Sequence, residues 1–100
     1  RSFIRQDCTN QKVCIAWQSV WSYYKDYTDS PKGIIGWSDL CSVTKEQINK
    51  DGVDIIIPTG TAIQNARGSS LNTAHDITRD GHHLAFGIGR YIAACTWFQT

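Results

Sequence analysis

Asp80 and His83 stand three residues apart, with Gly81 between them, in the run Thr78-Arg79-Asp80-Gly81-His82-His83-Leu84. Glycine accepts backbone angles that other residues avoid, so a tight turn at Gly81 can fold the Asp80 carboxylate back onto Nδ1 of His83. A carboxylate in that place fixes the imidazole tautomer and stabilises the imidazolium, which leaves Nε2 to take a proton from a hydroxyl. A serine or threonine hydroxyl becomes a useful nucleophile only beside such a base. The spacing alone is common in a chain with eight Asp residues. A surface turn with solvated histidines shows the same pattern.

The neighbouring polar residues offer further chemistry. Arg79 can pair with a substrate anion or with the Asp80 carboxylate, or be an ordinary surface arginine. Gln64, Asn65 and Arg67 follow the carboxyl end of an expected strand, where open α/β sheets place ligands. They are candidate substrate contacts, with polar residues of a helix surface as the plainer reading. His75, Asp76, Asp80, His82 and His83 also cluster in sequence. Adjacent histidines rarely ligate one ion, and the spacing matches no standard zinc pattern. Neither a metal nor a cofactor is expected.

The elements that must position these residues read as α/β. Residues 12–19 are apolar and β-branched on both alternating sets, as in a strand covered on both faces. Residues 20–36 read as a long loop whose aromatic side chains must lie against something. Residues 38–50 predict a helix with Leu40, Val43, Thr44, Gln47 and Ile48 on one face, Ser38 or Asp39 at its start and Gly52 just beyond its end. Residues 53–58 predict a second strand, buried on both faces by its isoleucines and terminated by Pro58. Strand, helix, strand implies a parallel pair with a right-handed crossover. A short helix follows at 60–67, then a loop over 68–82. A terminal helix over about 88–98 carries Ile88, Ile92, Cys95 and Phe98 at helical spacing. Two strands do not close such a domain, so further strands of the same sheet are expected outside this chain.

Composition narrows the class. The hydrophobic fraction is 41% and the net charge is +1, without the clustered Lys and Arg of a nucleic-acid footprint. No apolar run is long enough to span a bilayer. A start at Arg1-Ser2-Phe3, without Met, looks processed or truncated. Cys14, Cys41 and Cys95 lie in apolar contexts and are expected as buried thiols. Cys8 stays open, and a Cys8–Cys14 bridge fits an exported protein.

The flanks of the Asp80/His83 pair carry a family likeness. Arg79-Asp80-Gly81-His82-His83-Leu84, then Gly87, then Gly89-Arg90-Tyr91-Ile92-Ala93-Ala94, resembles the last block of the SGNH (GDSL-type) serine hydrolases. There a D-G-x-H-L loop precedes the C-terminal helix and supplies the catalytic Asp and His together. The stretch from Ile57 through Pro58-Thr59-Gly60 to Gln64-Asn65-Ala66-Arg67 is similar to the strand-to-helix segment of one branch of that superfamily. Ala16-Trp17 followed by Trp21-Ser22-Tyr23 is similar to it too, so the resemblance covers about residues 13–99.

The resemblance implies a three-layer α/β/α, flavodoxin-like fold of which this chain is the C-terminal portion. It makes Asp80 the orienting acid and His83 the general base, with His82 at the variable position. The family's nucleophilic Ser and its Gly and Asn oxyanion donors have no counterpart here. Ser19, Ser22, Ser69 and Ser70 lie outside the nucleophile's context. The implied reaction is hydrolysis of a small-molecule or carbohydrate ester in a parent protein, with the N-terminal part of the same domain as the necessary partner. The alternative is a non-catalytic carbohydrate-binding or structural relative of the same fold. In it Trp17, Trp21, Tyr23, Tyr24, Tyr27 and Trp37 would form a stacking face.

Overall fold

A computed structural model describes residues 6–10, 12–25, 34–48, 52–72 and 77–100 of the chain. Their elements run β1 (Ala16–Gln18), α1 (Ile34–Val43) continued by a π-helical turn (Thr44–Ile48), β2 (Ile55–Ile57), α2 (Thr59–Arg67) and α3 (Ile88–Gln99). The described residues are mixed α/β, with two parallel strands and three helices.

The strands are shorter than the sequence predicts, but they pair as expected. Ala16 lies opposite Ile55, Trp17 opposite Ile56 and Gln18 opposite Ile57. At the amino end of the ladder the Ile15 N–H donates to the Asp54 carboxylate at 2.8 Å. The Asp54 N–H donates back to the Ile15 carbonyl at 2.8 Å. The expected burial of both faces does not hold. Ile57 is buried, Ile56 is half-buried, and Ala16, Trp17 and Ile55 are exposed. A two-stranded ladder has too few neighbours to cover both of its faces.

At the carboxyl end of the ladder, α2 is seated directly on the residues that leave β1. Pro58, which has no N–H to continue the ladder, ends β2 and stands at the N-cap of α2. The Gly60 N–H donates to the Ser19 carbonyl at 3.0 Å and to Ser19 Oγ at 3.1 Å. Ser19 Oγ in turn donates to the Ile57 carbonyl. A Cβ on Gly60 would fall 2.0 Å from the Val20 carbonyl oxygen, so only glycine permits this approach.

α1 begins at Ile34, four residues before the expected start at Ser38, so neither Ser38 nor Asp39 caps it. Its inner face is also shifted. Trp37, Leu40, Thr44 and Ile48 are half-buried, whereas Val43 and Gln47 are exposed. Residues 49–51 at the end of the predicted helix lie outside the described residues. α2 and α3 match their predicted ranges closely. The buried residues of α2 are Thr59, Gly60, Ile63, Ala66 and Arg67, a stripe at three- and four-residue spacing.

α3 turns a different face inward from the one its apolar residues predict. Gly89 is buried, Ile92, Ala93 and Thr96 are half-buried, and Ile88, Cys95 and Phe98 are exposed. The cause is Gly89. A Cβ there would lie 2.4 Å from the Ile77 carbonyl oxygen, so the helix packs at this point and its rotation is fixed by it. The core formed by Ile63, Ala66 and Ile77, with Trp21, Leu84 and Ile92 packed around it, sits between α2, α3 and the Asp80 turn. The cysteine expectation is corrected as well. Cys14, Cys41 and Cys95 are exposed free thiols and Cys8 is half-buried.

Gly60→Ala is expected to destabilise the chain by about 3 kcal/mol, since the added methyl collides with backbone rather than with a movable side chain. Urea unfolding followed by circular dichroism checks this. An unchanged midpoint would contradict the close seating of α2.

Candidate active site

The turn that carries the candidate residues is built as a very short hairpin. Thr78 and Leu84 form an antiparallel bridge. The Arg79 N–H donates to the His83 carbonyl at 2.8 Å and the Ala85 N–H to the Ile77 carbonyl at 2.9 Å. At its tip Gly81 has φ +83°, the left-handed conformation that a side chain resists.

Asp80 closes the tip with its own side chain. Oδ1 accepts the His83 N–H at 2.7 Å and the His82 N–H at 3.0 Å. Oδ2 lies 2.7 Å from Nδ1 of His83. Aspartate favours such loops because its short side chain reaches the backbone two and three residues on. Asp80 and His83 are thus brought together as the sequence predicts. Both remain accessible, with the side chains 48% and 62% exposed respectively. His83 Nε2 meets no hydrogen-bonding partner among the described residues.

The carboxylate is held well below the usual carboxylate range. The largest cause is the hydrogen bond with the His83 ring, followed by the His83 N–H. Partial burial opposes these, and the His82 N–H and the charge of His83 add smaller downward contributions. Donors that favour the ionised form lower a pKa. Asp80 therefore stays a carboxylate, able to orient His83, through the whole neutral and mildly acidic range.

The turn is held from outside by the segment that leaves β1. The Trp21 indole N–H donates to the His82 carbonyl at 2.7 Å, and the Tyr24 N–H donates to the Gly81 carbonyl at 2.8 Å. The Tyr23 ring stacks on the His82 ring at 4.3 Å between centroids. His82, at the variable position of the motif, is therefore a packing neighbour, and its ring meets that of His83 edge-on. The clasp places Asp80 and His83 beyond the carboxyl end of β1, on the side where α/β sheets keep their ligands.

Arg67 supports this segment from below. It is 2% exposed. Its guanidinium donates to the Ser22 carbonyl at 2.7 Å and lies 5.7 Å from the centre of the Tyr24 ring. A candidate substrate contact in sequence, Arg67 thus stands inside the fold as a positioning residue. Buried charge needs such partners to offset its lost hydration. Gln64 is half-buried and Asn65 is exposed on the same helix. Arg79 is exposed and turns away from Asp80, its guanidinium lying 4.7 Å from the centre of the Phe86 ring.

Sequence reasoning missed Trp21, Ser22 and Tyr24 as positioning residues, although it required the aromatic side chains of this loop to pack on something. The expected single stacking face is divided. Trp21, Tyr23 and Tyr24 hold the turn. Trp17 and Trp37 line a separate apolar cleft of about 300 Å³ with Leu40 and Ile56. Tyr27 lies outside the described residues, as do His75 and Asp76 of the metal reading. Among the described residues no group of three or more potential ligands is placed to hold a metal ion. No helix among them is long and apolar enough to cross a membrane.

None of the four serines considered meets His83. Ser19 and Ser22 are buried and bonded to Ile57 and Arg67. Ser69 caps back onto the Ala66 carbonyl, and Ser70 is exposed in the turn that follows α2. The described residues thus define a small α/β unit that presents an oriented Asp–His pair without a nucleophile beside it. All of residues 1–100 match the family described as Domain of unknown function (DUF4886), and the chain belongs to that family. No curated protein and no solved structure matches it.

Two outcomes follow. The Asp80 side-chain carboxyl ¹³C shift should stay flat from neutral pH down to about 4 and change only below the ordinary aspartate value of about 3.9. Because the folded-state pKa is depressed, the stability this group contributes is present above about 3.9 and lost as pH falls through the folded value. A midpoint at the ordinary value would contradict the clasp. Arg67→Met should cost about 1–3 kcal/mol by leaving the Ser22 carbonyl unpartnered. It should also speed hydrogen exchange of the Tyr24 amide; unchanged exchange would show that Arg67 does not position this segment.

Proposed function

We propose that this chain supplies the acid–base half of an SGNH-type serine esterase and is the C-terminal portion of a three-layer α/β/α hydrolase domain. The observation that carries this reading is the 2.7 Å contact between His83 Nδ1 and Asp80 Oδ2, on an imidazole whose Nε2 has no partner among the described residues. The resemblance of the flanking sequence to that superfamily supports it, as does the position of the turn beyond the carboxyl end of a parallel strand.

In this reading the nucleophilic serine and the oxyanion donors come from the part of the domain that precedes residue 1. His83 Nε2 takes the serine proton as the serine oxygen attacks the ester carbonyl. The imidazolium, stabilised by Asp80, then gives that proton to the departing alkoxide, and an acyl-serine remains. Water, deprotonated by His83 in turn, releases the acid and restores the serine. Asp80 acts by fixing the ring and its charge and stays ionised throughout.

On p-nitrophenyl acetate, the full-length protein should lose at least about a thousandfold in kcat on His83→Ala, with Asp80→Asn of similar severity. Residues 1–100 alone should show no turnover. Full activity in His83→Ala, or His83-dependent hydrolysis by residues 1–100 alone, would overturn the reading.

A further inference from the structure

Two guanidiniums converge on one exposed ring beside the Asp80 turn. Arg79 lies 4.7 Å and Arg90 4.5 Å from the centre of Phe86, which is 67% exposed. Arg79 immediately precedes Asp80 and bonds through its N–H to the His83 carbonyl. Phe86 follows the hairpin, and Arg90 stands in the first turn of α3 with its N–H on the Ala85 carbonyl. The same backbone that closes the dyad thus sets the two cations.

Nothing among the described residues neutralises this pair. Neither guanidinium has a carboxylate of a described residue within ion-pair distance, and the nearby Asp80 carboxylate is already occupied by its three donors from His82 and His83. The ring face attracts each cation and limits its freedom, while the two like charges repel. Arg90 carries a further cost, because a cation in the first turn of a helix opposes the helix dipole, and no acidic residue stands in that turn. Two guanidiniums held beside one ring offer paired N–H donors to a group with several oxygens and a negative charge, whose charge would offset the repulsion.

We infer that Arg79 and Arg90, spaced by Phe86, form an oxyanion clamp that gives the site a preference for esters carrying a carboxylate or phosphate group. The ester part rests on the esterase reading; the clamp itself does not. Titration of the full-length protein with inorganic phosphate and, separately, with malonate at constant ionic strength, read by the Arg Nε–Hε resonances in NMR, tests the clamp. The wild type and His83→Ala should both bind saturably. The double variant Arg79→Gln/Arg90→Gln should bind at least about tenfold more weakly, with part of the affinity restored by Lys at both positions. Both guanidiniums are exposed, and an amide correlation spectrum confirms that the variant is folded. Equal binding in wild type and double variant, or no saturable binding of either anion, would overturn the clamp.

A second arm compares kcat/KM for p-nitrophenyl hemisuccinate with that for p-nitrophenyl butyrate. The preference for the charged ester should fall at least about tenfold in the double variant; an unchanged ratio would overturn the substrate preference. Should no ester be turned over at all, the esterase reading fails and the titration alone decides the clamp.

Discussion

One carboxylate organises the candidate site. Asp80 accepts two backbone N–H groups and faces the His83 ring within four residues of chain. The backbone can close so tightly only because Gly81 takes a positive φ. Those three contacts convert two exposed titratable side chains into a pair with one geometry. They also set the chemistry, since donors to the ionised form keep Asp80 charged and therefore able to hold the imidazole. Everything else near the site keeps this turn in place.

That support runs inward in steps. Trp21 and Tyr24 bond the carbonyls of His82 and Gly81. Arg67, buried at the end of α2, holds the Ser22 carbonyl between them. α2 itself is pinned to the end of β1 through Gly60 and Ser19. The parallel strands, which bury little apolar area of their own, thus fix the start of the segment that clasps the turn. On the other side Gly89 lets α3 close against the Ile77 carbonyl, placing Ile92 on the core beneath the hairpin. A charge buried in this way is specific rather than strongly stabilising, because its lost hydration offsets much of what the hydrogen bonds contribute.

What was legible in the sequence was local. The Asp80–His83 geometry depends on four consecutive residues, Gly81 among them, so residue type and spacing allowed it and the flanking residues singled it out. Pro58 and the β-branched run before it marked the end of β2 and the start of α2 for the same reason. What was not legible depends on approach distances between elements. The apolar residues of α3 pointed to Ile88, Ile92, Cys95 and Phe98 as its inner face, but with Gly89 packed against the Ile77 carbonyl only Ile92 of the four reaches the core. The three cysteines expected in the core are exposed. Arg67 was a candidate ligand contact because it follows the carboxyl end of β2, where α/β sheets place ligands. The stripe Thr59, Gly60, Ile63, Ala66 and Arg67 carried the signal that it is internal, since Arg67 lies one turn beyond a fully buried Ile63.

With its Oδ2 2.7 Å from Nδ1, Asp80 is placed to fix the tautomer of His83. Long-range ¹H–¹⁵N correlation of the histidine ring, recorded at a pH where it is neutral, measures this directly. Nδ1 should carry the proton and Nε2 the free lone pair in the wild type, with the preference lost in Asp80→Asn. A ring protonated on Nε2, or one averaging between tautomers alike in both proteins, would contradict the account.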